Sequence, residues 1–509
     1  MDRTGRCVNF GNCTIANQKQ TITMPTGLEL KCPECGRALV EVTGAKASSS
    51  TGPILVAAVA AMLLGLAGWW FLQTRSKPST SSSTQTTSSG GGTVMLRLQG
   101  SNTIGAQLAP ALAEAFLKAQ GTQDVQVIHD SAEMIRVVGG GKTIAIEARG
   151  SATAFAGLAA GQCEIGMASR PVKAEESTKT TGDLTLPSAE HVIGLDGVAV
   201  ILNRNNPVDT LTREQLAKIF AGLTTDWADV KGKPGPIAIY ARDAKSGTFD
   251  TFRTLVLSAR DLAPAAQRFE DSAQLADKVA ADPSGIGFVG LPYVGSTKVV
   301  AVSDKGSRAL TPNRLTVATE DYLLSRRLFF YNSANSVSQT VNRFVEFALS
   351  KEGQDVVEKV GFVSQHVRAE KAGSAAALDA PAESPSEYKK IADTSERLSV
   401  DYRFRAGSSG LDNKAIVDLD RLVTFLSDLH YTGADLVLMG FADSIGDPIA
   451  NEKLSKERAL AVAEQIARRG VAPGTVIGFG QALPIADNGT EEGRQRNRRV
   501  EVWVRKKKS

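Results

Sequence analysis

One long apolar run divides the chain, and the pattern of hydrophobic and polar residues differs on its two sides. Residues Pro53 to Leu72 carry no charge and read PILVAAVAAMLLGLAGWWFL. An α-helix of this length spans about 30 Å, the thickness of a bilayer's hydrocarbon core. Trp69 and Trp70 lie at one end of the run, where indole rings favour the headgroup layer. The pattern predicts a transmembrane helix over 53–72, followed by a Ser/Thr-rich flexible linker over 73–93.

Beyond this linker, short strand-like runs alternate with amphipathic helical stretches. VMLRLQ, VAVIL and IGFVG are typical of strands, whereas AQLAPALAEAFLKAQ and SQTVNRFVEFALSKEGQDVVEKV have helical spacing. The alternation predicts an α/β domain over 94–367. A stretch rich in Ala, Glu, Ser and Pro predicts a second linker over 368–394, and mixed helices and strands predict an α+β domain over 395–509.

Composition narrows the class of protein and the direction of membrane insertion. A chain of 509 residues is too long for a single core, and a net charge of +4 is too small to indicate a large nucleic-acid surface. Six Lys and Arg residues precede the apolar run, whereas only Arg75 and Lys77 follow it closely. This asymmetry predicts a single-pass inner-membrane protein with a cytoplasmic N-terminus and a periplasmic bulk.

Four of the five cysteines lie before the apolar run, in residues 1–45. Cys7 and Cys13 form one pair, and Cys32 and Cys35 form a tighter pair in Cys-Pro-Glu-Cys-Gly. Four thiolates in two pairs suit tetrahedral Zn²⁺, and so short a segment needs a metal to supply its folding free energy. Two disulfides or a redox pair are the alternatives, although no βαβ pattern surrounds Cys32. The segment resembles the short zinc ribbons of bacterial membrane proteins, which implies one structural zinc ion.

The α/β region repeats one local pattern three times: a strand, a turn rich in Gly, Ser and Thr, and then a helix. Helix starts offer unpaired N–H groups and a partial positive charge, and small hydroxyl residues add O–H donors. Three such starts that converge would bind a tetrahedral oxyanion, whereas a single one would be ordinary N-capping. The three turns lie in Leu96–Gly105, Arg149–Phe155 and Arg242–Phe249.

These turns also carry a family resemblance. GSNTIGAQLAPALAEAF, ARGSATAFAGLAAGQCEIGMASRPV, YARDAKSGTFDTF and GIGFVGLPY, in this order, resemble the periplasmic phosphate-binding protein of the phosphate ABC transporter. The resemblance implies a two-lobed type II binding protein with a ligand cleft between the lobes. It also implies that Ser101, Thr103 and Ser151 donate from one lobe, while the Arg242 and Ser246–Thr248 turn closes from the other.

One position departs from the phosphate-specific pattern. An aspartate that accepts the ligand's proton follows the strand equivalent to Ile165–Ser169 in that pattern, and this chain has Arg170 there. A carboxylate rejects a fully deprotonated anion such as sulfate, whereas an arginine does not. We therefore expect an oxyanion ligand, with phosphate favoured and Arg170 among its contacts. The alternative is a structural envelope tether whose ligand domain is degenerate.

Catalytic groups are not indicated on the far side of the apolar run. The four histidines, His129, His191, His366 and His430, are scattered along the chain. The sequence shows no nucleophile–base pair and no paired acids there. We expect a binding protein and not an enzyme.

The C-terminal region presents an acidic residue on a loop and a polar face on the helix that follows. Asp443 precedes a helical stretch in which offsets of four and three place Asn451, Ser455 and Arg458 on one face. An anion and a guanidinium held in this way match a zwitterionic amino-acid end, with Arg458 binding its carboxylate. A surface ion pair of little energetic worth is the alternative interpretation.

With Phe479-Gly480 and Arg496-Asn-Arg-Arg499, these residues resemble the OmpA-like peptidoglycan-binding domain. The resemblance implies non-covalent binding to the diaminopimelate of peptidoglycan through Asp443, Asn451, Ser455 and Arg458. Phe441-Ala442 stands where the family often has His-Thr, which suggests a lower affinity. The whole sequence thus predicts a membrane-tethered oxyanion-binding protein anchored to the wall. It would serve phosphate uptake, with an ABC transporter as partner, or phosphate sensing.

Overall fold

The computed structural model describes residues 3–6, 21–24, 31–32, 40–41, 93–244, 246–335, 338–371, 384–404, 410–428, 431 and 434–505. The chain forms two compact units, Met1–Gly90 and Gly91–Ser509. In the first unit, β1 (Arg3–Arg6), β2 (Thr21–Met24) and β3 (Val40–Glu41) form an antiparallel sheet in the order β2-β1-β3.

The predicted zinc site and membrane span fall largely outside this description. Cys32 is buried, whereas Cys7, Cys13 and Cys35 lie outside the described residues, as does the apolar run 53–72. Among the helices that are described, none combines the length and the apolarity needed to cross a bilayer. The zinc ribbon and the transmembrane helix therefore stay predictions.

The second unit contains the other helices and strands of the described residues. Its strands are β4 (Thr93–Gly100), β5 (Gln126–His129), β6 (Met134–Gly139), β7 (Lys142–Ala148), β8 (Ile165–Ala168), β9 (Glu190–Leu202), β10 (Thr210–Thr212), β11 (Ala238–Arg242), β12 (Gln267–Phe269), β13 (Gly285–Gly290), β14 (Lys298–Val299), β15 (Ala301–Ser303), β16 (Ser325–Tyr331), β17 (Ala369–Lys371), β18 (Glu396–Arg403), β19 (Asp435–Gly440), β20 (Thr475–Gly478) and β21 (Arg499–Arg505).

Its α-helices are α1 (Ala109–Ala119), α2 (Ser151–Ala159), α3 (Ala174–Ser177), α4 (Arg213–Phe220), α5 (Gly247–Phe252), α6 (Ser272–Ala281), α7 (Arg314–Ala318), α8 (Gln339–Leu349), α9 (Lys351–Val360), α10 (Ser386–Thr394), α11 (Asn413–Leu426), α12 (Pro448–Ala467) and α13 (Glu491–Asn497). Short π-helical segments at Ile104–Leu108 and Arg253–Leu257 precede α1 and follow α5.

The region from β4 to α9 folds into two lobes joined by long shared strands. The first half of β9 pairs with β16 in the first lobe, and Val198–Leu202 of β9 pairs with β13 in the second lobe. The first lobe also contains β4–β8 with α1–α3, α8 and α9, and the second contains β10–β15 with α4–α7. Because β9 reads as a nearly continuous apolar run, it is buried along most of its length. The prediction of a two-lobed α/β domain is confirmed.

Each lobe has its own apolar core. In the first lobe, α8 places Val341, Phe344, Val345 and Ala348 on one face at helical spacing, and all four are buried. The Phe344 ring lies 5.2 Å from that of Phe116 on α1. A separate cluster fills the second lobe, which allows the lobes to move as two bodies.

The C-terminal domain is an α+β fold, as predicted. Its five-stranded sheet has the order β17-β18-β21-β19-β20, and α11 and α12 cover one face. Helix α10 covers the other face, where the Tyr388 ring lies 6.0 Å from that of Trp503. Strand β17 and helix α10 both lie within 368–394, so these parts of the predicted linker belong to the folded domain. The physical reason is the apolar face of α10, since Tyr388 and Ile391 are both buried.

Candidate functional site

The predicted anion-binding residues of the two lobes meet at a cleft of about 740 Å³. Five of them line it: Thr103 from the first lobe, and Arg242, Ser246, Gly247 and Thr248 from the second. They lie beyond the carboxyl ends of β4 and β11, where each strand turns into the following helix. Ser101 is buried at the end of β4, and its amide donates to the carbonyl oxygen of Met167 at 2.8 Å, so it supports the turn without lining the cleft.

The lobes touch at Gly247. A Cβ atom placed on this glycine would lie only 1.8 Å from Oγ1 of Thr103. Any larger residue would therefore push the two helix starts apart. The two lobes are thus in direct contact at this point, and the glycine permits the contact.

Arg326, on β16, occupies the point where the turns converge. Its Nη2 donates to Oγ1 of Thr103 at 2.6 Å and to the carbonyl oxygen of Gly247 at 2.7 Å, and its Nη1 donates to Oγ of Ser169 at 3.0 Å. Asp196 on β9 completes the set with an ion pair at 3.2 Å. Only 8% of the Arg326 side chain is exposed. Burial lowers the pKa of Arg326, although Asp196 opposes the shift.

Sequence reasoning missed Arg326 because no turn motif surrounds it. It stands inside a strand, in Ser-Arg-Arg-Leu-Phe-Phe-Tyr. One signal was available, because Arg326 stands near the start of an otherwise apolar strand. An arginine in a buried strand is rarely left without a partner, so its position indicates a polar contact.

Ser151 joins the same network indirectly. Its Oγ accepts a hydrogen bond from the backbone amide of Ser169 at 3.0 Å and lies 3.2 Å from the Ser169 hydroxyl. Because Ser169 in turn accepts from Arg326, the hydroxyls of Ser151, Ser169 and Thr103 all lie within one or two hydrogen bonds of the guanidinium. The second helix start therefore reaches the same place as the first and the third.

Arg242 lines the cleft but directs its guanidinium into the second lobe. Its Nε donates to the carbonyl oxygen of Phe269 at 3.3 Å, its Nη2 donates to that of Glu270 at 2.6 Å, and its Nη1 donates to the hydroxyl of Ser272. These bonds fix the loop between β12 and α6. Burial lowers the pKa of Arg242 against the opposing effect of Asp243.

Arg170 lies apart from the other predicted residues. Its guanidinium forms two hydrogen bonds with Glu176, at 2.7 and 2.8 Å, and lies 5.1 Å from the ring of Phe155. It lines a second cavity, of about 760 Å³, which Ser169 and Arg326 also line and which extends to the C-terminal domain. In this arrangement Glu176 neutralises Arg170.

In the C-terminal domain, the loop after β19 and the helix α12 form the second candidate site. Asp443 forms an ion pair with Arg498 at 2.8 Å. Asn451 donates to the carbonyl oxygens of Asp443 and Ile445, at 3.2 and 3.1 Å, and so fixes the loop. Ser455 is fully buried, and its hydroxyl accepts from the Gly480 amide at 2.9 Å. Asn451 and Ser455 thus hold the backbone of the neighbouring loops in place.

Arg458 is the cation of this site. Its Nε and Nη1 atoms are buried and have no hydrogen-bond partner among the described residues. Its guanidinium lies 5.6 Å from the Phe404 ring. Burial and the neighbouring Arg498 lower its pKa, and Asp443 opposes them. A buried guanidinium with open donors suits a carboxylate, which can accept two parallel hydrogen bonds.

Comparisons with known proteins agree with both parts of this description. Residues 79–352 match the PBP superfamily domain, and residues 403–498 match the OmpA family. Protein SphX of Synechococcus elongatus is 30% identical over 262 residues, which are 49% of this chain and 77% of SphX. The phosphate-binding protein PstS of Staphylococcus aureus is 30% identical over 224 residues, 42% of this chain and 67% of PstS. An ABC-type phosphate transport receptor of Vibrio cholerae aligns with 53% of this chain and 99% of its own, at 24% identity and a TM-score of 0.43.

Proposed function

The chain belongs to the PBP superfamily, and on that premise we propose that it is a phosphate-binding protein anchored non-covalently to peptidoglycan. The observation that carries the ligand proposal is the convergence of Thr103, Ser169 and Gly247 on the buried guanidinium of Arg326. The name of the relative PstS, a phosphate-binding protein, is consistent with it. We propose a binding role and no catalytic one.

In the proposed complex, Arg326 carries the charge that attracts the anion. Phosphate oxygens would replace Thr103 and Gly247 as partners of the guanidinium, while Asp196 keeps its ion pair. The hydroxyls of Thr103 and Ser169 would then turn to donate to the ligand, since a hydroxyl is both donor and acceptor. Charge-assisted bonds of this kind are about twice as strong as neutral ones.

Titration calorimetry of the full-length chain with phosphate and with sulfate tests the ligand. We expect heat with phosphate, and we expect Arg326→Gln to abolish it. Because Arg170 replaces the aspartate of the phosphate-specific pattern, sulfate binding would mark a less selective oxyanion site. The absence of heat with either anion would remove the ligand claim and favour the structural envelope tether.

For the wall anchor, we propose that Asp443 binds the ammonium group and Arg458 the carboxylate of a diaminopimelate end. The open Nε and Nη1 donors of Arg458 support this proposal. The test is a pull-down with purified sacculi. Equal recovery of the wild type and of the Asp443→Ala/Arg458→Ala double variant would argue against this site.

We also propose roles for the N-terminal part of the chain. A transmembrane helix over 53–72 would hold the protein in the inner membrane, and a zinc ribbon would face the cytoplasm. Tethering at both ends would keep the binding domain between membrane and wall at a high local concentration. Phosphate uptake by a deletion strain would separate a role in import, with an ABC transporter, from a role in sensing.

A further inference from the structure

The C-terminal domain contacts the first lobe through the start of α11. Nδ2 of Asn413 donates to the carbonyl oxygen of Thr185 at 2.9 Å and to Oε1 of Glu190 at 3.0 Å. Beside it, Asp412 forms an ion pair with Arg327 of β16 at 2.8 Å. Asn413 is itself buried, so these bonds lie inside a packed interface.

The same domain also contacts the second lobe, through the segment before α13. Ile485 and Ala486 are almost completely buried and belong to the apolar core of that lobe. The Asp487 amide donates to Oδ2 of Asp304 at 3.3 Å, and the Arg308 amide donates to the carbonyl oxygen of Pro484 at 3.3 Å. One rigid domain thus holds both lobes.

Between these contacts, the C-terminal domain binds residues 321–325, through which the chain returns from the second lobe to the first. Arg496 donates to the carbonyl oxygens of Tyr322 and Ser325, at 3.2 and 3.4 Å. Arg397 forms an ion pair at 3.0 Å with Asp321, which is 1% exposed. Ser325 directly precedes Arg326 of the cleft. A rotation of one lobe against the other would break these buried contacts, and a buried polar contact that is lost without replacement is costly.

We propose that the C-terminal domain is a clamp that holds the two lobes closed. A body that binds one arrangement of the lobes better than another shifts the equilibrium toward that arrangement. The arrangement it binds here is the closed one, in which Gly247 touches Thr103 and Arg326 bonds to both. The consequence for the ligand rests on the proposed function: a clamped domain would open rarely, so that phosphate would both enter and leave slowly.

Hydrogen–deuterium exchange of the full-length protein tests the clamp without any ligand. Asn413→Ala removes the two side-chain bonds of Asn413 to the first lobe and leaves the Asp412–Arg327 pair and the contacts with the second lobe intact. We expect amides in 102–108 and 247–252 to exchange at least about threefold faster in this variant, since one lost hydrogen bond corresponds to a factor of about two to ten. Asp420→Ala is the matched control, because Asp420 lies on the same helix and pairs with Arg469 inside its own domain.

Amides of β21 report whether the C-terminal domain itself stays folded, and they should be unchanged. Arg496→Gln is measured in parallel, because Asn413→Ala could loosen β21. This second variant loses the bonds to the carbonyl oxygens of Tyr322 and Ser325. Faster exchange at the cleft with unchanged β21 in either variant supports the clamp. Cleft exchange equal to that of Asp420→Ala in both variants overturns it.

A second readout separates this inference from the proposed function. If the protein binds phosphate, its dissociation rate in stopped flow should rise about three- to tenfold in Asn413→Ala. Exchange that rises in a protein that binds no phosphate would keep the clamp and refute the ligand. Unchanged exchange and an unchanged dissociation rate would refute the clamp and keep the ligand.

Discussion

The interlobe cleft and the C-terminal anchor each contain a buried arginine, and the two differ in what surrounds it. Arg326 donates to Thr103, Ser169 and Gly247 and is paired with Asp196. Arg458 has two buried nitrogen atoms without a hydrogen-bond partner in the described part of the chain. The cleft arginine is satisfied internally, whereas two donors of the anchor arginine have no described partner.

This difference has an energetic consequence. A ligand at Arg326 exchanges existing hydrogen bonds for new ones, and such exchanges yield only about 1 kcal/mol per bond. A ligand at Arg458 satisfies donors that are otherwise buried without partners. We therefore expect a larger gain per hydrogen bond at the anchor than at the cleft, once a local rearrangement exposes the two buried nitrogen atoms of Arg458.

The largest effect should come from Arg326→Gln. The variant leaves Asp196 buried without its cation, and breaking a buried pair in this way costs about 3–5 kcal/mol. We expect a lower free energy of unfolding in urea and a loss of phosphate affinity of more than about 100-fold, by calorimetry. A variant of unchanged stability that still bound phosphate would place the site elsewhere.

The junction between the two domains should respond to pH. Burial opposes ionisation of Glu320, but Arg327, 2.6 Å away, overcomes it and lowers the pKa of Glu320 from 4.5 to about 2. A lowered native pKa stabilises the fold above pH 4.5, and this stability is lost as pH falls toward 2. We expect the wild type to lose up to about 3 kcal/mol over this interval through Glu320. Urea denaturation should show a flatter pH dependence for Glu320→Gln, and parallel curves would refute the assignment.

Arg458→Ala should weaken binding to the wall while it changes the stability of the fold only slightly. Since Nε and Nη1 of Arg458 have no described partner, their removal should change the free energy of unfolding by less than about 1 kcal/mol. Loss of a charged hydrogen bond to a carboxylate should weaken binding to sacculi by about 30-fold. The check is a co-sedimentation assay beside urea denaturation. A large loss of stability with unchanged wall binding would assign Arg458 a structural role.

The smallest effect is expected from Arg170→Gln. Arg170 is already paired with Glu176 at 2.7 Å, so the variant should change phosphate affinity by less than about threefold. The ratio of phosphate to sulfate affinity should also stay the same. A large change in calorimetry would show that Arg170 reaches the ligand after a rearrangement.

The sequence predicted the turns that line the cleft more accurately than it predicted the positions of the charged side chains. Thr103, Ser246 and Gly247 could be predicted because a strand, a small-residue turn and a helix form a local pattern. Arg326 could not, because its position depends on the pairing of β16 with β9, a strand distant in the sequence. Arg170 was placed with the ligand from its neighbours in the sequence, yet Glu176, six residues later, binds it.

The contact between the two-lobed domain and the C-terminal domain could not be predicted from the sequence either. Asp321 lies 3.0 Å from Arg397, but the two are distant in the sequence and neither belongs to a motif. A sequence of alternating apolar and polar residues predicts each domain's own sheet and helices. It does not predict which polar residues are buried where two domains meet, since those residues have the composition of a solvated surface.

The most direct test of the central claim is a crystal structure of the full-length protein with phosphate. We predict an anion within hydrogen-bond distance of the Arg326 guanidinium and of the hydroxyls of Thr103 and Ser169, with the lobes closed around it. A cleft in which Arg326 still bonds to Thr103 and Gly247, at phosphate concentrations that saturate any binding seen in solution, would contradict the account.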